Sequence, residues 1–212
     1  MKIKICGLTQ TEQLKAIDEL GIDFLGMIFF DGSSRYMLHK LGSKQIAGLD
    51  IQAKKVGVFV NAPEETVHTM VEEYQLDLVQ LHGDETPLYC KHISSKIPVI
   101  RAFRINERNQ HNLDWALKPF EEFAAYFLLD TFSKSGYGGT GNQFDWNILK
   151  ENQINKPFFL SGGIGVEDIE TIKNIQHPFF YGIDINSKIE TSPGIKDIEK
   201  VKAIKQLVSD SD

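Results

Sequence analysis

Eight short apolar runs recur along this chain at a spacing of about 25 residues, and that rhythm limits the folds open to it more than any other feature. The runs are "KIKIC" (2–6), "FLGMIF" (24–29), "KVGVFV" (55–60), "LDLVQL" (76–81), "PVIRAF" (98–103), "YFLLD" (126–130), "PFFLS" (157–161) and "FYGIDI" (180–185). Amphipathic stretches lie between them. "TQTEQLKAIDELG" offers Thr9 as an N-cap, Glu12 three residues on, and Gly21 past the end. "APEETVHTMVEEY" places Pro63 in a first turn, followed by two acidic residues that suit the positive end of a helix. "VEDIETIKNI" and "IKDIEKVKAIKQLV" space apolar residues three and four apart, whereas "KLGSKQIAGLD" predicts only a short helix. Eight strand-then-helix units within one domain's length predict an α/β fold, a parallel eight-stranded (β/α)₈ TIM barrel. The rival, an open doubly wound sheet, would more often show five to seven strands.

The chain has 212 residues and 24.0 kDa, which suits one domain over residues 1–212. A net charge of −6 without any basic run argues against a nucleic-acid partner. No apolar run approaches the roughly 20 residues of a membrane helix, so neither a membrane partner nor a Sec-type signal peptide is expected. Two cysteines, Cys6 and Cys90, make no disulfide framework, and a cytoplasmic location is the default. Cys90, in "PLYCKHI", reads as a packed helix residue.

Barrels of this kind build their sites where strands end at the C-terminal face. In chain order those positions hold Cys6, "DGSSRYM" with Arg35, Asn61, "HGDE" with His82, Arg104, Asp130 before "TFSKSGYGGTG", "SGGIG" from Ser161, and "DINSK" from Asp184. Each has a plain alternative. The glycines could be turns, or loops through which backbone N–H groups approach a phosphate. Asp130 could be a structural carboxylate, or a buried acid able to donate a proton. Arg35 could pair on the surface, or hold a ligand carboxylate in a two-point grip. His82 could contact a ligand or simply bond to backbone. No two His or Cys fall at metal-ligand spacing, so no metal is expected.

"KICGLT" (4–9), "SSRY" (33–36), "VQLHGDE" (79–85), "LLDTFSKSGYGGTGNQFDW" (128–146), "SGGI" (161–164) and "ETSPGIKD" (190–197) together resemble the phosphoribosylanthranilate isomerases, in order and on matching barrel positions. The resemblance implies a cofactor-free Amadori rearrangement in tryptophan biosynthesis, acting on a small phosphosugar-anthranilate. Asp130 would be the general acid that opens the ribose ring, and Cys6 the general base that removes the C2 proton. Arg35 would bind the anthranilate carboxylate, with His82 also in contact with substrate. Ser161 would contact substrate, and Gly139, Thr140, Gly141, Gly162, Gly163 and the 184–187 segment, with Asp184, Asn186 and Ser187, would hold the phosphate. The oligomeric state stays open between monomer and homodimer.

The chemistry agrees with that assignment, since an aldose-to-ketose shift needs an acid and a base on opposite sides of the sugar. From reference pKa values, a protonated Asp costs roughly 4 kcal/mol at pH 7 and an ionised Cys roughly 2, so the working form of an untuned pair is about 1 in 30,000. Apolar surroundings are therefore expected around Asp130, and donors or positive charge near Cys6. The family's Asp-Val-Ser-Ser-Gly-Val-Glu reads "DINSKIE" here, placing Asn186 for a Ser and Lys188 for a Gly. Other readings fit less well. A related isomerase of histidine biosynthesis uses an aspartate where Cys6 stands, and indoleglycerol-phosphate synthase needs a lysine acid not found at these strand ends. A non-catalytic phosphate-binding barrel would have no use for both Cys6 and Asp130.

Overall fold

The computed structural model describes residues 1–38, 40–106, 110–131 and 145–209. Eight parallel strands close into a barrel: β1 (Lys2–Ile5), β2 (Phe24–Ile28), β3 (Lys54–Phe59), β4 (Leu78–Leu81), β5 (Val99–Ile105), β6 (Tyr126–Thr131), β7 (Phe158–Leu160) and β8 (Phe180–Ile185). Each falls on one of the apolar runs, and β8 closes the ring on β1 from Lys2↔Gly182 to Ile5↔Ile185. The expected barrel is the observed one.

Helices α1 (Thr11–Asp18), α2 (Ser43–Ala47), α3 (Glu64–Tyr74), α4 (Pro87–Ser94), α5 (Leu113–Leu117), α6 (Ile169–Lys173) and α7 (Ile198–Ser209) follow the strands. Their buried residues fall on one face, as with Val201, Ile204 and Val208 of α7. α4 starts on Thr86, whose hydroxyl accepts from Tyr89 N at 3.2 Å, with Pro87 in the first turn where its missing N–H costs nothing. Cys90 is sealed in the core of the same helix, and burial pushes its thiol up to about 11. Among the described residues no helix is long and apolar enough to cross a membrane.

Several local expectations are corrected. Thr9 is not an N-cap: Gln10 holds that position without a side-chain bond, and the Thr9 hydroxyl donates to Gly194 O at 2.8 Å. Pro63 precedes α3 as its N-cap rather than entering the first turn. Between β6 and β7 the described residues form a 3₁₀ segment, Trp146–Lys150, in place of an α-helix. The last amphipathic stretch begins its helix only at Ile198, because Ile195 and Lys196 form β10 of a hairpin with β9 (Glu190–Ser192). Gln13 holds that strand by bonding both the N–H and the carbonyl of Lys196, at 2.9 and 2.7 Å.

The strands' two-residue period divides the side chains. Outward residues such as Ile3, Ile5, Leu25 and Met27 pack under the helices. Inward residues fill the barrel's N-terminal end with Phe24, Val56, Leu78, Ile100 and Phe159, sealed by Tyr126 and Tyr181. Phe24 meets Phe159 edge to face, with centroids 5.3 Å apart and planes at 86°. Higher up, the same period brings polar groups inward: Leu78, then Gln80, then His82 on β4 and its extension.

Candidate active site

The barrel's C-terminal mouth encloses about 700 Å³, including space open to solvent. Cys6, Arg35, His82, Asp130, Ser161 and Asp184 all face it, together with Gly162, Gly163, Asn186 and Ser187. Ten of the residues singled out in the sequence thus share one cavity. Gly139, Thr140 and Gly141 lie outside the described residues.

Cys6 directly follows β1 and Asp130 lies near the end of β6; two strands, β7 and β8, separate them on the shorter way round the ring. Both are buried, at 4% and 5% exposure, so each can meet a ligand only within the mouth. Asp130 is not surrounded by apolar groups alone, contrary to expectation. His82 Nε2 lies 3.1 Å from its Oδ2, and Gln80 Nε2 donates to His82 Nδ1 at 2.8 Å. The two ring nitrogens of His82 thus join Gln80 to Asp130. His82 is therefore a side-chain partner of Asp130, a closer involvement than the backbone contact that its sequence context alone suggested.

Around Cys6 the expectation of positive charge holds. Lys4, two residues earlier on β1, is fully buried with Nζ 2.7 Å from Asp184 Oδ1, and Ser161 Oγ donates to Asp184 Oδ2 at 3.2 Å. Lys196 supplies a second ammonium. Burial pushes the Cys6 thiol up and Asp184 adds to that; Lys4 and Lys196 oppose it, and the net shift is upward. Burial works against charge on Lys4 as well, but Asp184 and Cys6 more than offset it, so Lys4 stays a cation.

Arg35 is bound bidentately by Glu190, with Nε 2.9 Å from Oε1 and Nη2 2.6 Å from Oε2. Lys196 Nζ also reaches Glu190 Oε1, at 2.7 Å, and Asn186 Oδ1 at 2.7 Å. This occupies one side of the guanidinium fork and presents the Nη1 side elsewhere. The backbone of Arg35 is fixed by its N–H donating to Ser33 Oγ at 3.1 Å.

After β7 the chain turns through Gly162 and Gly163 at φ +96° and +67°, a region that side chains with a Cβ rarely adopt. A Cβ on Gly162 would also collide with Thr131 at the end of β6. These two glycines are required by the turn itself, whatever they bind. Two other strand-end residues are structural: Asn61 Oδ1 accepts from Asp84 N at 2.7 Å, and Arg104 pairs with Asp84.

The family profile for N-(5'-phosphoribosyl)anthranilate (PRA) isomerase matches residues 3–207. This chain belongs to the phosphoribosylanthranilate isomerase family. Its relative from Parabacteroides distasonis, named N-(5'-phosphoribosyl)anthranilate isomerase, is 39% identical over 210 residues, covering 98% of this chain and 93% of the relative. The crystal structure of phosphoribosyl anthranilate isomerase from Thermotoga maritima superposes with a TM-score of 0.84 at 31% identity, over 99% of both chains. A further phosphoribosyl anthranilate isomerase structure, in complex with reduced 1-(o-carboxyphenylamino)-1-deoxyribulose 5-phosphate, gives a TM-score of 0.78 at 28% identity over 99% of both chains.

Within the family pattern, the loop after β8 departs at two residues, and neither breaks the fold. Lys188 lies in a 3₁₀ turn, Ser187–Ile189, outside the left-handed region, so no glycine is needed there. Its ammonium lies 3.8 Å from Glu167 at the surface. Asn186 turns its amide oxygen to Lys196. Sequence reading missed Lys4, Gln80, Glu190 and Lys196. The signal for the first two was present: Lys4 and Gln80 each precede a singled-out residue by two, which places both on the same face of their strand.

Proposed function

We propose that this protein converts N-(5-phosphoribosyl)anthranilate to 1-(o-carboxyphenylamino)-1-deoxyribulose 5-phosphate, the isomerisation step of tryptophan synthesis, with Cys6 as base and Asp130 as acid. The observation that carries the assignment of roles is their position: two buried titratable groups facing one cavity across β7 and β8, in a chain of this family. Asp130 gives a proton to the ribose ring oxygen as the C1–O bond breaks, leaving an iminium at C1. With His82 Nε2 beside Oδ2, Oδ1 is the oxygen that carries this proton. Cys6 thiolate takes the C2 proton, and the C–H electron pair forms the C1–C2 double bond and cancels the iminium charge. The resulting enolamine tautomerises to the ketone.

The Nη1 side of Arg35 suits the anthranilate carboxylate. Gly162, Gly163 and Ser187 suit the phosphate, at the loops where barrels hold one. The reaction needs no electron transfer, only proton moves between carbon, oxygen and these two side chains. A reduced Cys6 fits a cytoplasmic setting.

The test is loss of anthranilate-type fluorescence from freshly made phosphoribosylanthranilate, with wild type and Asp130→Asn side by side. Rapid loss with wild type and almost none with the variant supports both the reaction and the acid. No loss with wild type, alongside saturable binding of phosphate ligands, would point to a binding barrel instead.

A further inference from the structure

Lys4 is fully buried inside the barrel, and no step above uses it. A chain that needed only stability there would do as well with an apolar residue, because an enclosed ion pair gains little over a hydrophobic replacement. The surroundings are shaped for the ammonium. Asp184 receives it at 2.7 Å, and Gly26 on the neighbouring strand β2 leaves it room. A Cβ built on Gly26 would sit 3.1 Å from Lys4 Nζ and 2.9 Å from Cys6 Sγ. Ammonium and sulfur therefore crowd the same point beside β2.

We propose that Lys4 is a positioning residue for the Cys6 base, holding the thiolate form within reach and fixing where Sγ points. The proposal rests on the reading of Cys6 as the base and deepens it. From β1 Lys4 faces the sulfur, from β8 Asp184, and from β10 Lys196, with Arg35 and Glu190 behind Lys196. Gly26 brings no charge from β2. Lys4 lowers the cost of thiolate, while Asp184 raises it and holds Lys4 in its charged form. When Sγ takes the C2 proton, the ammonium keeps its own proton and stays paired with Asp184. The thiolate charge and the iminium charge disappear together, so the net buried charge is the same before and after the step.

The experiment titrates Cys6 in the free enzyme by thiolate absorbance in the ultraviolet. Each variant is read against the same variant carrying Cys6→Ser, so that Cys90 and the tyrosines cancel. Lys4→Met is expected to move the Cys6 titration up by about one unit or more, and Asp184→Asn to move it down. In turnover, Lys4→Met should lower kcat/KM about tenfold at neutral pH, with the deficit narrowing at alkaline pH and KM little changed. General loosening of the site would not move the thiol in opposite directions for the two halves of one ion pair.

An unmoved titration in Lys4→Met, or shifts of the same sign in both variants, overturns the proposal. If Lys4→Met does not fold, Asp184→Asn still decides, since an upward or absent shift sinks it. A wild type without isomerase activity, but with both shifts present, would overturn the reaction and leave the tuning of the thiol standing.

Discussion

The two ends of the barrel are built from the same strands and by opposite physics. At the N-terminal end Phe24, Phe159, Tyr126 and Tyr181 meet edge to face or tilted, and burial with the neighbouring Tyr126 pushes the Tyr181 hydroxyl up to about 12. At the C-terminal end the inward positions hold Lys4–Asp184, His82–Asp130 and the Arg35–Glu190–Lys196 chain. One end gains free energy by removing apolar surface from water. The other holds charges where water is scarce, which is costly unless every charge is paired. Stability should therefore concentrate below and activity above, and the predictions below separate the two.

The largest effect belongs to the plug. Phe159 is fully buried among Phe24, Tyr126 and Tyr181, so Phe159→Ala should cost about 3–5 kcal/mol of stability through lost burial and the cavity left behind. Urea unfolding measures it, and turnover per folded molecule should stay near wild type. A loss below about 1 kcal/mol would mean the aromatic end collapses around the gap and is not the stabilising end.

Next comes the acid, with the opposite signature. Asp130→Asn keeps the volume and should lower kcat by about 10² or more, while the melting temperature changes little. Cys6→Ser should behave alike, since Ser is a far weaker base than a thiolate. Near-wild-type turnover in both variants would remove the proposed roles from the mouth. A large fall in melting temperature with Asp130→Asn would instead make this carboxylate part of the scaffold.

Why the barrel was legible in the sequence and much of the site was not follows from the same two ends. Apolar runs mark strands wherever they fall, and both the plug residues and the outward core lie inside those runs. Polar partners carry no such mark. Glu190 and Lys196 belong to the β9–β10 hairpin, and only the closed fold brings that hairpin over Arg35 and Cys6. Periodicity in "IKDIEKVKAIKQLV" continued a helix back to Ile195, but Gln13 takes the Lys196 backbone into the hairpin instead. Lys4 read as a strand lysine, and its burial depends on Asp184, 180 residues away. Gly26 read as one more strand residue, and only Cys6 and Lys4 beside it explain why it carries no side chain.

Arg35 tests whether the mouth's charges act on ligand or on fold. Arg35→Ala should raise KM about tenfold or more with kcat nearly kept, as expected for a carboxylate contact used equally in ground and transition states. An unchanged KM would mean that the guanidinium serves only Glu190. Arg35→Lys would separate the possibilities further, because Lys can pair with Glu190 but lacks the planar fork for two carboxylates at once.

The smallest effect is on pH-dependent stability. Burial raises the Glu190 carboxyl, but the hydrogen bond from Arg35 and the charge of Lys196 more than reverse it, leaving it below its ordinary value. An acid depressed in the folded state binds fewer protons folded than unfolded below its ordinary range. Its stabilisation is therefore fully present above that range and fades as pH falls through the folded value. Glu190→Gln should thus unfold at a lower urea concentration than wild type at neutral pH, with the gap closing in acid. A gap constant with pH would show that Glu190 holds the hairpin by shape and hydrogen bonds alone. The charged end would then resemble the aromatic end more closely than its composition suggests.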